Sequence, residues 1–450
     1  MKVVKFGGSS VASASKISKV ISIVTSDIQR KVVVVSAPGK RNKSDIKVTD
    51  LLIEIAEKVI NNQSYHDILL NIIERFRDIQ LELGLSTNII AEIQADLHHR
   101  IEMFSGNNEQ FLDLLKAAGE DNNAKIISAA FNKLGFNTKY INAGKAGMIL
   151  SDDYGNAKVL DKSYELLSSS LSSCDEIIIF PGFYGHTDKG NVITFPRGGS
   201  DITGAILSVA LNASVYENFT DVDSVYVMDP RIIDNPCAIE EMTYREMREL
   251  AYSGFGVFHD EAIIPVINAK IPICIKNTNK PNNPGTMILS KREIKGREIA
   301  GISSSDGFTG LYIDKYMMNR EIGFGRKLLQ ILEEENISYE HSPSGIDNMS
   351  VILKSDQFDS KEKIVIDRIN NELKPDLINI EHGLALLMVV GEGMCFSVGM
   401  ASQATTALAS AGINIEMINQ GASEISMMFA IKDSDIELAL SSLGKVFFNI

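Results

Sequence analysis

The chain has 450 residues, of which 44% are hydrophobic and 23% are charged, and its formal net charge at pH 7 is −14. This composition is typical of soluble globular proteins and unlike that of disordered or membrane proteins, and the length predicts two or three domains. The negative charge argues against non-specific nucleic-acid binding, which needs a basic surface, so a small molecule is the expected partner.

The sequence predicts no targeting or membrane-spanning segment. The longest strongly apolar run, LALLMVV at 384–390, is far shorter than the roughly 18 residues of a spanning helix, and the N-terminus begins with a strand pattern. We therefore expect a cytoplasmic protein. The four cysteines form no CxxC pair and the seven histidines show no HExxH spacing, so neither disulfides nor a metal site built from protein ligands is predicted.

The first 40 residues predict a βαβ unit. KVVKF at 2–6 predicts a buried strand, apolar residues at helical spacing between Ala14 and Val24 predict a helix, and KVVVVSA predicts a second strand. Similar buried strands are predicted at 176–183 and 271–278. Near-continuous apolar strands that alternate with helices indicate an α/β fold with a mostly parallel sheet covered on both faces.

From about residue 300 the sequence repeats at an offset of 76 residues, as from Gly323 to Gly399. Each copy predicts a strand, an amphipathic helix and two alternating strands, so two tandem ferredoxin-like βαββαβ modules are expected. The second copy lacks a final strand of its own. The strand pattern at 298–305 has no other place, and we predict that it completes the sheet of the second module. The predicted domains are 1–295, 306–382 and 383–450.

The segment KFGGSS at 5–10 lies between the first strand and the first helix. Two glycines there allow the backbone to approach a phosphate, the helix N-terminus adds partial positive charge, and Lys5 adds a full charge. The segment matches neither the Walker A pattern nor GxGxxG. A tight strand-to-helix turn with a solvated Lys5 is the alternative.

A second Gly-Gly turn occurs in FPRGGSDITG at 195–204, again before a predicted helix. Arg197 is suited to bind a carboxylate through two hydrogen bonds, and Asp201 is suited to hold a metal or orient a lysine near phosphates. The alternative is a helix start capped by Ser200 or Asp201. Two such turns in one sheet favour phosphate binding.

These two segments, together with TDVDSVYVMDPR at 220–231, resemble the amino acid kinase family, and within it the aspartate kinases closely. The family usually opens with KFGGTS and has GRGGSD in its second loop. The resemblance extends through SAPGKRNKSDIKVTDLL at 36–52, AAGE at 117–120 and PGFYG at 181–185, and the paired C-terminal modules resemble ACT modules. It implies an amino acid kinase fold over 1–295, followed by two ACT modules.

The resemblance also implies a reaction, the transfer of the γ-phosphoryl group of ATP to the side-chain carboxylate of L-aspartate, with Mg²⁺ carried on the nucleotide. The acceptor carboxylate has a pKa of about 3.9 and is already anionic, so no general base is required. The site must instead supply positive charge and alignment. Catalytic roles are implied for Lys5, which neutralises the transferring phosphoryl group, and for Asp201, which fixes Lys5.

The resemblance assigns binding roles to further residues. Nucleotide binding is implied for Lys5, Gly7, Gly8, Ser9, Thr220, Asp221, Tyr226 and Arg231. Aspartate binding is implied for Ser36, Thr49, Glu120, Arg197, Gly199 and Ser200, with Arg197 on the α-carboxylate and Glu120 on the ammonium group. From the residues alone, Glu120 is a solvated helix residue and Tyr226 a core residue.

The chain departs from the family pattern at three places. Gly256, in GFGVFHD at 254–260, stands where the family usually has a lysine that contacts ATP phosphates, and Pro196 stands where glycine is common. The basic stretch KRNKSDIK at 40–47 is longer than usual. It either compensates near the phosphates or is a solvated loop tip, and we favour the loop tip because such positions tolerate insertions.

Paired ACT modules in this family form a binding site for an end-product amino acid at a dimer interface. The resemblance to lysine-sensitive relatives places the effector at Met318, Phe324, Gly325, Ser338, Tyr339 and Glu340. We expect feedback inhibition by lysine, with threonine second, and at least a homodimer.

Two other classes of function remain open from the sequence. One is an enzyme of the same fold that phosphorylates glutamate, acetylglutamate, carbamate or a nucleotide, which the pairing of Arg197 with Glu120 opposes. The other is a non-catalytic amino-acid sensor, for which Gly256 is the only hint and which the presence of Lys5, Arg197 and Asp201 opposes.

Overall fold

The computed structural model describes residues 1–252, 260–294, 296–421 and 423–450, so Gly256 lies outside the described residues. The chain forms two compact units. The first comprises Met1–Val225, Glu240–Tyr244 and Gly256–Arg292, and the second comprises Tyr226–Ile239, Arg245–Phe255 and Glu293–Ile450. None of the described helices is long and apolar enough to cross a membrane.

The secondary structure up to residue 292 contains both strands and helices, with four consecutive helices between the second and third strands. The strands are β1 (Lys2–Phe6), β2 (Arg30–Val35), β3 (Thr138–Tyr140), β4 (Ile177–Pro181), β5 (Tyr184–His186), β6 (Val192–Thr194), β7 (Val215–Thr220), β8 (Glu241–Thr243), β9 (Ile273–Asn277) and β10 (Thr286–Leu289). The helices are α1 (Ala14–Thr25), α2 (Val48–Ile60), α3 (His66–Leu83), α4 (Asn88–Glu102), α5 (Asn108–Lys133), α6 (Ala143–Ala146), α7 (Lys162–Leu171), α8 (Gly199–Ala210), α9 (Tyr244–Tyr252) and α10 (Ile264–Asn268).

Eight of the described strands form one sheet in the order β3-β4-β2-β1-β7-β9-β10-β8. All neighbours in it run parallel except β9 and β10, so the predicted mostly parallel sheet is confirmed. Residues Val3 to Phe6 of β1 are all buried. Because successive side chains of a strand point to opposite faces, both faces of the sheet are covered, as the unbroken apolar runs predict.

Three central strands end at one edge of this sheet. Phe6 of β1 is in register with Val35 of β2 on one side and with Phe219 of β7 on the other. The loops that follow these strands therefore leave the sheet side by side. In parallel α/β sheets ligands bind at the carboxyl ends of the strands, which makes this edge the expected place for a site.

The second unit contains a separate sheet. Its strands are β11 (Gly301–Asp314), β12 (Tyr339–His341), β13 (Asn348–Lys354), β14 (Leu377–Val390), β15 (Met417–Asn419) and β16 (Ser426–Lys432). Its helices are α11 (Phe324–Glu334), α12 (Ser355–Phe358), α13 (Glu362–Glu372), α14 (Met400–Ser410) and α15 (Ile436–Phe447). The strand order is β12-β13-β11-β14-β16-β15, and all neighbours are antiparallel.

Both predicted modules contribute to this sheet, but they share two long strands. The predicted strands 298–305 and 310–316 form the single strand β11, and the two predicted around 376–391 form the single strand β14. The first half of β11, Gly301–Ser305, pairs with Leu386–Val390 of β14. The second half of β11 pairs with β13 as well as with β14.

The sequence pattern predicts two separate strands at each of these places, and a glycine lies within each joined strand. Gly307 has a φ of 81° and Gly383 has a φ of 68°, which only glycine adopts readily. In the structure the ladder shifts register between Ser305 and Phe308 and then continues. Glycine therefore introduces a bulge here and does not end the strand.

Candidate functional site

The candidate site lies in the first unit, where the loops after β1 and β2 meet the start of α8 and the middle of α5. A cavity of about 710 Å³ opens there. Six of the residues predicted to bind nucleotide or aspartate line it. These residues are Gly8, Ser9, Ser36, Thr49, Glu120 and Asp221.

Glycines allow the loops after β1 and β2 to pack backbone against backbone. The Gly39 amide donates to the Gly8 carbonyl oxygen at 2.9 Å. A Cβ atom on Gly39 would lie 2.5 Å from the Gly8 carbonyl carbon, and one on Gly8 would lie 2.9 Å from the Ala37 carbonyl oxygen. The wall of the cavity therefore requires glycine at both positions.

Replacement of Gly39 by alanine should displace this wall, because the clash is with backbone and not with a side chain that can move. We expect a loss of about 1–3 kcal/mol in the free energy of unfolding and at least about a tenfold loss of kcat/KM. Thermal unfolding and steady-state kinetics measure both. Gly421→Ala is the matched control, because the nearest atom to a Cβ there is 3.8 Å away. Equal effects of the two substitutions would contradict the packing argument.

Lys5 and Asp201 join the end of β1 to the first turn of α8. Lys5 is only 8% exposed, and its Nζ lies 2.7 Å from Asp201 Oδ1. The same oxygen accepts a hydrogen bond from Asn218 Nδ2 of β7 at 2.6 Å. Asp201 thus fixes the lysine ammonium group next to the glycine loop, where Nζ would lie 3.6 Å from a Cβ on Gly7.

The N-terminus of α8 packs against the loop after β2 and the turn after β4. Gly198 precedes the helix with a φ of 80°, and Ser36 Oγ donates to Ser200 Oγ at 2.9 Å. A Cβ on Gly182 would lie 2.6 Å from Ser200 Oγ, and one on Gly199 would lie 2.5 Å from the Phe183 ring. The Gly-Gly turn at 198–199 therefore serves close packing as well as helix initiation.

Phe183 is a residue of this site that the sequence analysis did not single out. Its φ of 74° is unusual for a residue with a side chain, and such strained conformations cluster at functional sites. The backbone holds it in place, since its amide donates to Thr203 Oγ1 of α8 at 3.0 Å. The signal in the sequence is the PGFYG segment at 181–185, which carries part of the family resemblance and contains this residue.

Glu120 lies in the middle of α5 and is buried, so the interpretation as a solvated helix residue is wrong. It is 5% exposed, and its Oε2 has no hydrogen-bond partner among the described residues. Burial raises the pKa of Glu120 to about 8, although a hydrogen bond from the Ala37 amide partly opposes the shift. A buried carboxyl group with an unused oxygen at the wall of a cavity is suited to receive a cation from a ligand.

Four lysines also line the cavity, and three of them belong to the basic stretch 40–47. They are Lys16, Lys40, Lys43 and Lys47. Lys40, Lys43 and Lys47 are exposed, as expected of a loop tip, and they also face this cavity. Nothing in the stretch itself shows which part of the fold it faces.

The remaining predicted ligands of aspartate and nucleotide lie in different surroundings. Arg197 is exposed directly before α8, and Thr220 Oγ1 lies 3.1 Å from Asp221 Oδ1 at the end of β7. Tyr226 and Arg231 belong to the second unit. There Arg231 is exposed and pairs with Asp229, with Nη2 and Oδ2 2.6 Å apart.

The predicted effector residues of the second unit divide into buried and exposed groups. Met318 and Phe324 are part of its hydrophobic core. Ser338 Oγ donates to Gln357 Oε1 at 2.9 Å, Tyr339 is exposed, and Glu340 Oε1 lies 3.5 Å from Lys354 Nζ. A Cβ on Gly325 would lie 3.5 Å from the Met349 methyl carbon, in ordinary contact.

No cluster of three or more His, Cys, Asp or Glu side chains suited to hold a metal ion occurs in the part of the chain that the structure describes. The cavity itself has lysines and glycine-loop amides, which suit phosphate oxygens. Such a lining is compatible with Mg²⁺ that arrives bound to phosphates, because this ion is often held by substrate phosphates and one or two carboxylates.

Comparison with known proteins adds to this geometry. The model of the amino acid kinase family matches residues 1–277, and an ACT domain model matches residues 387–447. Aspartokinase 3 of Bacillus subtilis is 52% identical over 449 residues, which cover 100% of this chain and 99% of that protein. The crystal structure of Clostridium acetobutylicum aspartate kinase has 39% identity and a TM-score of 0.90, and the match covers 99% of both chains.

Two structures of E. coli aspartokinase III share the fold. The one in complex with aspartate and ADP has 24% identity and a TM-score of 0.73, with 100% of both chains covered. The one in complex with lysine and aspartate has 24% identity and a TM-score of 0.75, with 100% of this chain and 99% of that chain covered. The family model, the full-length relative and the solved structures all match this chain. The chain therefore belongs to the amino acid kinase family and, within it, to the aspartate kinases.

Proposed function

We propose that this aspartate kinase binds L-aspartate and the phosphates of ATP in the cavity of the first unit. The observation that carries the proposal is Glu120, a buried carboxyl group with one oxygen that has no partner among the described residues, in a cavity that four lysines and residues of the glycine loop also line. An amino acid brings both an ammonium group for Glu120 and carboxylates for basic side chains. No single anion or cation would satisfy both kinds of lining group.

The reaction requires two anions to approach each other. A side-chain carboxylate oxygen of aspartate forms a bond to the γ-phosphorus of ATP, the bond from that phosphorus to the bridging oxygen breaks, and ADP leaves. Because the carboxylate is anionic at neutral pH, no proton has to be removed. Catalysis then depends on alignment and on positive charge at the phosphoryl group, which is the pattern of phosphoryl transfer in general.

In this proposal Lys5 neutralises the phosphoryl group while Asp201 holds its ammonium group in place. The amides of Gly8 and Ser9 donate hydrogen bonds to phosphates, and Gly7, whose own amide donates to the Phe219 carbonyl oxygen at 3.3 Å, lets the backbone approach them closely. Arg197 binds the α-carboxylate of aspartate. Ser36, Thr49, Gly199 and Ser200 complete the aspartate pocket.

The nucleotide is proposed to be ATP with Mg²⁺ on its phosphates. ADP and aspartate are present together in the E. coli aspartokinase III complex, which supports a nucleotide next to the amino acid in this fold. Thr220 and Asp221 of the first unit are the proposed contacts to its adenosine and phosphates, and the nucleotide-binding role of Tyr226 and Arg231 stays a prediction from the resemblance. Gly256, where relatives have a lysine, lies outside the described residues.

Turnover of ATP in the presence of hydroxylamine tests the substrate assignment, because an acyl phosphate is trapped as its hydroxamate. Aspartate should give hydroxamate, and glutamate or acetylglutamate should give at most about 1% of that rate, since one additional methylene in a binding pocket costs about 10- to 200-fold in rate. Equal rates with glutamate would overturn the assignment. Binding of an amino acid without any hydroxamate would point to a sensor.

We further propose that lysine is the feedback inhibitor and that it binds to a homodimer of the second unit. Lysine is bound in a solved structure of E. coli aspartokinase III, and a carboxylate at position 340 suits the ammonium group of such a ligand. Threonine is the second candidate.

The domain bounds 1–295, 306–382 and 383–450, with 298–305 completing the last sheet, are part of this proposal, as is a cytoplasmic location.

Replacement of Glu340 by glutamine should raise the lysine concentration for half-maximal inhibition about tenfold or more, because a charged hydrogen bond to the effector is lost. Activity without lysine should not change. Glu333→Gln, at an exposed position of α11, is the matched control. Inhibition curves that coincide for the two variants would contradict the proposed effector contact, and inhibition by threonine alone would contradict the choice of lysine.

A further inference from the structure

The basic loop, residues 40–47, connects the glycine turn after β2 to helix α2 and lines the cavity with several side chains. Its three lysines and Asn42 face the same space as Glu120. Proposed contacts from the β1 loop and from α8 already account for the transferring phosphoryl group and the α-carboxylate. These three lysines have no role in that scheme.

The loop is held in place from outside itself. Arg75 of α3 is only 3% exposed, and it donates to the carbonyl oxygens of Gly39 and Ile46, the latter at 2.5 Å. Its Nη2 also lies 3.2 Å from Asp45 Oδ2. One buried guanidinium group therefore fastens both ends of the loop, and the lysines between those ends are presented by an ordered backbone.

A second arginine organises the middle of the loop. Asp45 Oδ2 accepts hydrogen bonds from the Arg41 backbone amide at 2.8 Å and from Arg41 Nε at 3.0 Å. Both the ion pair and the backbone contact lower the pKa of Asp45 far below its usual range, so it is ionised at neutral pH. The aspartate thus serves the internal structure of the loop and leaves its lysines available to a ligand.

The charge of the cavity favours an anionic ligand beyond aspartate itself. Four lysines and two acidic residues, Glu120 and Asp221, line it. With the pKa of Glu120 raised to about 8, the empty cavity carries an excess of positive charge at pH 7, in a chain whose net charge is −14. Such a local excess attracts polyphosphates and raises their local concentration.

The sequence supplies a reason for an additional cationic element. Relatives in the family usually have a lysine for the ATP phosphates where this chain has Gly256, and the same chain has the longer basic loop. This comparison concerns residue types only, because Gly256 lies outside the described residues.

We propose that Lys40, Lys43 and Lys47 bind the polyphosphate of the nucleotide, and that Arg75 is a positioning residue that holds the loop at the cavity. The inference depends on the proposed function, since it assumes that the nucleotide phosphates enter this cavity. It adds a phosphate-binding element outside the glycine loop and Lys5.

Steady-state kinetics of alanine variants test the inference. The triple variant Lys40→Ala, Lys43→Ala, Lys47→Ala should raise the KM for ATP about 10- to 100-fold and change the KM for aspartate less than about twofold. Each single substitution should raise the KM for ATP about two- to fivefold. Lys139→Ala, at an exposed position of β3, is the matched control and should change neither constant. A raised KM for aspartate with an unchanged KM for ATP would overturn the proposal in favour of an aspartate-binding loop, and unchanged constants would overturn it outright.

Proteolysis of the unmodified protein provides a second test that does not depend on variants folding. Trypsin cleaves after the basic residues of the loop, and a non-hydrolysable ATP analogue with Mg²⁺ should slow this cleavage at least about fivefold, whereas AMP should not. Equal protection by AMP, or none by the analogue, would contradict binding of the polyphosphate.

The role of Arg75 is tested by a measurement that would not change if the residue only stabilised the fold. Arg75→Lys keeps the charge but cannot reach two carbonyl groups and Asp45 together, so the KM for ATP should rise while kcat at saturating ATP is retained. A fall in kcat with an unchanged KM would contradict positioning. Hydroxamate formation by the unmodified protein distinguishes failure of the proposed function from failure of this inference. If no hydroxamate forms, the proposed function is contradicted. If it forms and the loop variants keep an unchanged KM for ATP, only this inference is contradicted.

Discussion

Replacement of Lys5 by methionine should lower kcat about 10³-fold or more at saturating substrates. The ammonium group of Lys5, at the end of β1, is almost buried and lies 2.7 Å from Asp201 Oδ1 of α8. A fixed charge at the phosphoryl group acts mainly in the transition state, so kcat should fall more than binding weakens. Rapid-quench or hydroxamate assays at saturating ATP and aspartate measure the loss.

Lys2→Met on the same strand is the matched control. Lys2 Nζ also pairs with an aspartate, Asp27 Oδ2 at 2.8 Å, but it lies at the other end of β1. Its replacement should change kcat by less than about twofold, because a partly exposed ion pair contributes little. A Lys5 variant that retained more than about a tenth of the activity would contradict the catalytic assignment.

Aspartate binding should release close to one proton at pH 7, and Glu120→Gln should abolish the release. With a pKa of about 8, Glu120 is about nine-tenths protonated in the empty cavity at pH 7. A substrate ammonium group beside it would favour the ionised form and drive the proton off. Calorimetric titration of aspartate in buffers of different ionisation enthalpy measures the number of protons directly.

The same substitution should raise the KM for aspartate about 10- to 100-fold, because a charged hydrogen bond becomes a neutral one. Glu109→Gln, at an exposed position in the first turn of α5, is the control and should leave both the proton release and the KM unchanged. Proton release that persisted in the Glu120 variant would assign the effect to another group and contradict the proposed ammonium contact.

The stability of the empty protein should depend on pH through the same group. The pKa of Glu120 is raised in the folded state, from 4.5 to about 8, so between these values the folded chain binds more protons than the unfolded chain. Its contribution to the free energy of unfolding therefore falls as pH rises through this window. The free energy of unfolding of Glu120→Gln, relative to that of the unmodified protein, should therefore be higher at pH 8 than at pH 5. Denaturant unfolding of both proteins at the two pH values tests this.

Local patterns predicted the parts of the fold that depend on local chemistry. The apolar runs of β1 and β2 and the Gly-Gly turns after β1 and before α8 mark the edge of the sheet where the cavity lies. In each case the determining interactions lie within a few residues of the signal.

The rest depended on contacts between distant residues. The position of the basic loop is set by Arg75 on α3, which no pattern within residues 40–47 reveals. Glu120 looks like an ordinary polar helix residue until α5 is packed beside the loop after β2. The continuous strands β11 and β14 depend on pairing between residues more than sixty positions apart, such as Ser303 with Met388, which overrides the local signal of a break.

A crystal structure of the protein with aspartate, Mg²⁺ and a non-hydrolysable ATP analogue tests the central claim most directly. The account predicts aspartate in the cavity of the first unit, with its ammonium group within hydrogen-bond distance of Glu120 Oε2 and its α-carboxylate on Arg197, and with the phosphates between Lys5 and the basic loop. Aspartate bound elsewhere, or bound in the cavity with Glu120 still unpaired, would contradict it.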